Sequence, residues 1–228
     1  MDNSLPQTGL SLDGHQGHMA QSQPPERHVM IDVECMGTRT NAPLGAIGAA
    51  IFEPDTGNII DEFYTKIDIT TSVEAGGVLD PETIKWWLKQ VTEAQLQMVG
   101  NVGDNGVMAL PEALAALGEF IQRHQASPRQ GIKHWANGAN FDPGIIEEAC
   151  HSLKRKSPLV FWKSLDVRTI VELGRQFGID PKTEMASLGS PHKALDDCRF
   201  QVRYVSEIWQ RILPPLPRQY AYPSRTAR

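Results

Sequence analysis

The segment HVMIDVEC at 28–35 is the most restrictive stretch of this 228-residue chain. Its apolar and β-branched residues read as a strand, yet two carboxylates, Asp32 and Glu34, sit two positions apart within it. Side chains alternate across a strand, so both acids project from one face while Ile31 and Val33 point to the other. Burying two like charges on one face is costly unless a positive group offsets them. A fold built on this strand must either leave its acid-bearing end in water or place a cation there. A divalent ion that prefers oxygen ligands, Mg²⁺ or Mn²⁺, suits the second case.

The segments after this strand point to a mixed sheet. LGAIGAAIFEP (44–54) is a second apolar run, and DTGN (55–58) is turn chemistry leading into IIDEFYTKI (59–67). Three short-linked strands predict an antiparallel meander. The period then changes. Asp80 followed by Pro81 opens a helix over ETIKWWLKQV, and a Gly/Asn-rich loop covers 100–106. A helix near 110–124 and a strand at 132–136 come next. They precede a helix from about Asp142, a short strand near 159–165, a helix at 167–177 and a long helix from about 191. Strands first, then alternating helices and strands, predict a mixed sheet with helices on its faces.

Residues 1–26 are polar, rich in Gly, Pro and Gln, and read as a disordered leader. Residues 214–228 carry prolines and arginines and read as an extended tail; its Pro214-x-x-Pro217 is a weak partner motif. The expected domain is 27–213. No run approaches the ~18 apolar residues of a membrane helix, so a membrane-spanning protein is excluded. Cys35, Cys150 and Cys198 lie far apart, which argues against a disulfide framework or zinc knuckle and for a reducing, cytoplasmic setting. The N-terminal residues lack the basic and apolar regions of a secretory signal.

Two further acidic clusters extend the pattern. Asp142 lies in ANGANFDPG, after a predicted strand; as Asp before Pro143 it also has the form of a helix cap. In SPHKALDD, His192, Asp196 and Asp197 fall off the apolar stripe formed by Leu195, Cys198, Val202, Val205, Trp209 and Ile212. A solvated helix N-terminus, where acids complement the macrodipole, would also place them there.

Taken together and in this order, D-x-E, N-F-D and H-K-A-L-D-D resemble the DEDDh branch of the DnaQ-like 3′→5′ exonucleases. The strings IDVECMG, TIKWWLKQ, WANGANFD, LDVRTIVELG and HKALDD carry the resemblance over 28–212. It looks closest to the phage and bacterial subgroup that includes the phage exonuclease DexA and a mycobacterial exoribonuclease. The resemblance implies an α/β, RNase H-like fold with a mixed five-stranded sheet, three antiparallel strands followed by two parallel ones, flanked by helices. It implies metal ligands at Asp32, Glu34, Asp142 and Asp197, with His192 as general base. Two Mg²⁺ per site, replaceable by Mn²⁺, would clamp the scissile phosphate at the 3′ end of single-stranded DNA or RNA and release 5′-mononucleotides. Asp32 would bridge the ions, Glu34 and Asp197 would serve the nucleophile side, and Asp142 would support the second ion through water. A relative cleaving only dinucleotides, or a noncatalytic binding module, would share the fold. Related enzymes are often dimers, so a homodimer is an expected form, though no interface signature is present.

Helix geometry and the family pattern disagree on one aspartate. On a regular helix His192 and Asp196 share a face, whereas His192 and Asp197 lie about 140° apart. The pattern selects Asp197, which requires His192 to sit in the turn before the helix, after Pro191. Among substrate contacts, Met36 follows the D-x-E strand where related enzymes approach the terminal nucleotide, mainly through backbone. Ile84, Trp87, Leu88 and Val91 fall at i, i+3, i+4 and i+7 and read as the core stripe of the helix opened by Asp80, with Trp87 in the core; Trp86 lies on the opposite face and can either stack on a base or pack beneath the 100–106 loop. Asn140 can orient Asp142 or cap its helix. Lys154, Arg155 and Lys156, with Lys163 and Arg168, form either a solvated face or a phosphate track.

The net charge of −5 disfavours binding nucleic acid by bulk positive charge. The two ends offset one another, Asp2, Asp13 and Glu26 against Arg218, Arg225 and Arg228, so the domain keeps that charge. Two divalent ions would bring it to about −1 on formal charges. Substrate binding is therefore expected to depend on metal.

Overall fold

The computed structural model describes residues 26–125, 131–180, 183 and 192–213. The predicted strands are present at β1 (His28–Cys35), β2 (Leu44–Phe52) and β3 (Ile59–Ile67). Further along are β4 (Val107–Met108), β5 (Lys133–Ala136) and β6 (Ser164–Asp166). They form one six-stranded sheet in the order β4-β3-β2-β1-β5-β6. β1, β2 and β3 pair antiparallel, β5 runs parallel to β1, and β6 parallel to β5. The expected five-stranded sheet thus gains a strand. β4 adds in parallel to the edge of β3 over two residues, too short for any period to reveal.

Seven described helices flank the sheet: α1 (Ile69–Glu74), α2 (Pro81–Trp87), α3 (Thr92–Gln95), α4 (Leu110–His124), α5 (Asp142–Ser152), α6 (Val167–Gln176) and α7 (Ala194–Ile212). One core lies between α4, α5 and the sheet face bearing Val29, Ile31 and Val33; the other lies between α6, α7 and the face bearing Met30. This is the alternation expected for β1, and it turns Asp32 and Glu34 toward the α7 side.

Three boundaries differ from the periodic reading. α2 ends at Trp87, so Leu88 and Val91, placed on its core stripe, are exposed instead. The short strand expected near 159–165 is a 3₁₀ turn at Phe161–Lys163 followed by β6. The last helix begins at Ala194 rather than near 191. Most of the predicted leader, the whole tail, Pro191, Pro214 and Pro217 lie outside the described residues. Glu26, assigned to the leader, pairs with Lys133 at 2.8 Å. Among the described residues no helix is long and apolar enough to cross a membrane, and Cys35, Cys150 and Cys198 are buried free thiols.

Candidate active site

The site forms where the first strand of the chain meets its last described helix. Asp32 of β1 pairs with Gly48 of β2, and Gly48 in turn with Tyr64 of β3. Gly48 lacks the Cβ that would stand in the way of α7. A methyl built there would lie 2.4 Å from the Ala194 carbonyl carbon and 2.5 Å from the Leu195 nitrogen. The first turn of α7 therefore rests directly on the strand backbone beside Asp32. A register shift in the β1–β2 ladder between Glu34 and Cys35 marks a bulge at the same end, a common device for aiming a side chain next to a site.

That approach brings Asp32, Glu34 and Asp197 together, with one carboxylate oxygen of each within 4.8 Å of the others. Asp197, not Asp196, joins the strand acids. His192 precedes the helix with φ of 61°, a left-handed backbone that His adopts more readily than most residues. This turn takes His192 out of helical register and removes the conflict raised by helix geometry. Asp196 is buried and pairs with Arg199 Nη1 at 2.7 Å. Arg199 also donates to both carboxylate oxygens of Glu62 on β3, each at 2.7 Å, which ties the first turn of α7 to the sheet.

Asp142 opens α5 and enters from the other core, buried, with its Oδ1 accepting the Val33 backbone N–H at 3.0 Å. β5 ends at Ala136, so this carboxylate takes over where the parallel ladder has stopped supplying partners to β1. A fourth contact has no counterpart in the sequence reading. Gln201, 4% exposed, donates from Nε2 to Asp32 Oδ1 at 2.9 Å. Its signal was a polar residue four positions after Asp197, hence one helical turn along, beside the apolar stripe of the same helix.

Electrostatics give the cluster its character. Burial, then the charges of Asp142, Glu34 and Asp197, push the Asp32 carboxyl well above its usual range, against the Gln201 hydrogen bond. Burial, with Asp197 and Asp142, raises Glu34 to about 8. Burial raises Asp142 to about 6, opposed by the Val33 N–H and the Arg168 charge. Asp197 is raised by burial, opposed by the His192 charge and backbone N–H. Among the described residues, Glu34 Oε1 is buried without a hydrogen-bond partner. An all-oxygen donor set of mutually repelling carboxylates, one with an orphaned buried oxygen, fits a divalent cation.

The other expected contacts divide. Trp86 is 43% exposed, and its ring meets His192 edge-on at 4.8 Å and Trp87 at 5.0 Å. It forms a wall beside the histidine. Trp87 is buried and anchors α2 by donating to the Cys35 carbonyl at 3.0 Å. The Met36 N–H donates to Pro43 and its carbonyl accepts from Asp80. With both backbone groups engaged, contact from Met36 falls to its half-buried side chain. Asn140 is exposed and does not cap α5, whose cap residue is Phe141 with no side-chain hydrogen bond. It lines a cleft with Arg39 and Arg168. The basic cluster splits: Arg168 reaches this cleft, whereas Lys154, Arg155 and Lys156 follow the far end of α5, about 15 Å along its axis from Asp142.

One consequence is directly measurable. Gly48→Ala should shift the first turn of α7 and with it Asp197. A displacement of about 1 Å at a reacting centre can cost about 10²-fold in rate. Circular dichroism should show the fold retained while the rate falls; a rate within threefold of the unsubstituted chain would show that the close approach is unimportant.

The family model for the 3'-5' exoribonuclease Rv2179c-like domain matches residues 27–209. No curated protein sequence matches the chain. Among solved structures, the nuclease domain of 3'hExo, described as a DEDDh family member and bound to rAMP, is similar at 15% identity with a TM-score of 0.56. That match covers 82% of this chain and 93% of that one. Cell-death related nuclease 4 (CRN-4) gives 10% identity and 0.56, covering 83% and 64%. The zinc-bound E. coli ExoI–ssDNA complex gives 10% and 0.56, covering 84% and 42%. At these identities the likeness is one of fold, and it agrees with the RNase H-like sheet. The match across 27–209 carries the assignment: the chain belongs to the Rv2179c-like 3'-5' exoribonuclease domain family and is a 3′→5′ exonuclease.

Proposed function

We propose that the chain hydrolyses single-stranded nucleic acid from its 3′ end, one 5′-mononucleotide at a time, with Mg²⁺ or Mn²⁺ as cofactor. RNA is the substrate that its family's description supports. The observation that carries this reading is the convergence of Asp32, Glu34 and Asp197 within 4.8 Å, from segments more than 160 residues apart, beside His192.

Asp32, Glu34 and Asp197 would hold the metal, which when bound supplies charge for the phosphate and makes water more acidic. Gln201 holds one oxygen of Asp32, fixing the carboxylate's rotation. Asp142 is tethered to the β1 backbone and adds a further negative charge to the cluster. His192 accepts a proton from the attacking water, and its left-handed backbone together with the Trp86 and Trp87 rings sets the direction of the imidazole. The exposed part of Trp86 offers a face to the terminal base, a contact worth ~1–3 kcal/mol and indifferent to sequence.

A matched digestion series tests the proposal. RNA and DNA strands of one sequence, labelled at the 5′ or the 3′ end, are incubated with Mg²⁺, Mn²⁺ or EDTA. The 5′-labelled RNA should shorten progressively and the 3′ label should appear at once as mononucleotide, with neither change in EDTA. Release of the 5′ label first, or internal cuts, would contradict the 3′ polarity. Faster digestion of DNA would overturn the RNA assignment.

A further inference from the structure

Asp197 reaches the strand acids from a helix end that has no side-chain cap. The residue before α7, Lys193, makes no capping hydrogen bond with its side chain, and the first turn rests on the bare backbone of Gly48. A contact of this kind sets how closely the helix approaches the sheet and leaves its rotation about its own axis to the side chains. Rotation matters here. A helix with its side chains is about 10–12 Å across, so a turn of about 10° carries a carboxylate about 1 Å sideways.

Two flanks oppose that rotation. Toward β1, Gln201 donates to Asp32 Oδ1 at 2.9 Å and Cys198 Sγ donates to the Met30 carbonyl at 3.7 Å. Toward β3, Arg199 donates from Nε and Nη2 to the two carboxylate oxygens of Glu62, each at 2.7 Å. At 100° per residue Arg199 lies about 160° around the helix from Asp197, on the far flank. Its Nη1 also holds Asp196, the neighbour of Asp197, at 2.7 Å. Glu62 shares a row of the sheet with Ala50 and Met30, and the next row on that face is Asp32, Gly48 and Tyr64. A guanidinium held by two parallel hydrogen bonds is fixed in direction as well as in distance. The Arg199 and Glu62 side chains are 37% and 31% exposed, where an ion pair adds little to global stability.

We propose that Arg199 and Glu62 are positioning residues for the hydrolysis: their fork sets the rotation of α7 and so aims Asp197 at Asp32 and Glu34. The proposal rests on the exonuclease reading above and gives β3, which supplies no carboxylate to the cluster, a part in assembling it.

The test compares Arg199→Met, Glu62→Ala and the double variant with the unsubstituted chain. Removal of the 3′-terminal nucleotide from a short RNA gives kcat and KM, and the thermal midpoint is titrated with Mn²⁺ in the absence of RNA. Each single variant should lose about 10- to 100-fold in kcat, the scale of a displacement near 1 Å. KM should stay within about threefold, since the loss falls on the reacting geometry. The metal-free midpoint should move by less than about 4 °C, as for an accessible ion pair. The Mn²⁺ concentration that gives half of the full thermal shift should rise about tenfold. The double variant should lose no more than Arg199→Met, because the two residues act through one contact. A kcat within about threefold of the original in both single variants would overturn the proposal, as would losses that multiply in the double variant. A fall in kcat accompanied by a metal-free midpoint lower by more than about 10 °C would overturn it in favour of a purely structural role. Glu62→Ala leaves Asp196 paired with Arg199, so it carries the test if Arg199→Met fails to fold. Absence of 3′ removal by the unsubstituted chain would instead overturn the exonuclease reading, and the Mn²⁺ titration would still decide the positioning.

Discussion

Replacing Asp32 with asparagine should reduce hydrolysis by at least about 10³-fold while leaving the metal-free protein at pH 8 no less stable than before. Both halves come from one arrangement. Asp32 faces Asp142, Glu34 and Asp197, and all three oppose its ionisation. In the absence of a cation its charge is a burden on the fold, and an amide of the same shape removes that burden while keeping an oxygen for Gln201. The same charge is what the cation needs, so its loss should remove several kcal/mol of transition-state stabilisation, at 1.36 kcal/mol per tenfold. Initial rates in Mg²⁺ and thermal midpoints in EDTA measure the two halves. A variant within tenfold of full activity would refute the ligand assignment. A large fall in the midpoint would mean that Asp32 holds the fold rather than the metal.

His192→Asn should lower the rate by about 10²–10⁴-fold, the range for a lost general base, while the thermal shift caused by added Mg²⁺ persists. Asparagine is the informative substitution because it tolerates the left-handed backbone that His192 occupies. Alanine would add strain to the loss of the imidazole and confuse the two. The test has two readouts because His192 also donates its backbone N–H to Asp197, a contact the substitution keeps. A rate within about threefold of the original would show that another group takes the proton. Loss of the metal-induced shift would show that His192 acts by positioning Asp197.

Much of this site could be read from residue order alone, for identifiable reasons. The period of two places Asp32 and Glu34 on one face wherever β1 lies, and the boundaries of β1 and β3 match the apolar runs at both ends. Contacts set by departures from regular geometry could not be read. Helical periodicity favoured Asp196; only the left-handed turn at His192 and the start of α7 at Ala194 deliver Asp197 instead. Gln201 stood out only as a polar residue one turn after Asp197, and nothing local named its partner, because the contact spans 169 positions. Gly48 read as one small residue in an apolar strand, and its role depends on the helix that crosses it. Trp86 and Trp87 were separated correctly into exposed and buried, yet Leu88 and Val91 were not, because α2 stops before the stripe is complete.

In the proposed function these carboxylates are held together, against their own repulsion, to receive a cation. Glu34 offers the most direct measurement, because burial raises its folded pKa from 4.5 to about 8. Between those values the unfolded chain has released the Glu34 proton and the folded chain keeps it, so stability falls as pH rises through the window and levels off above it. Glu34→Gln lacks this contribution, and subtracting its thermal midpoint from that of the unsubstituted chain cancels the titrating groups remote from the cluster and leaves Glu34 with its effect on Asp32. In EDTA, the difference should fall steadily from pH 5 to 8. With Mn²⁺ or Mg²⁺ present, the unsubstituted chain should gain stability over the same interval, because the ion binds the deprotonated form. A flat difference in EDTA, together with no stabilisation by either ion at pH 8, would contradict the account.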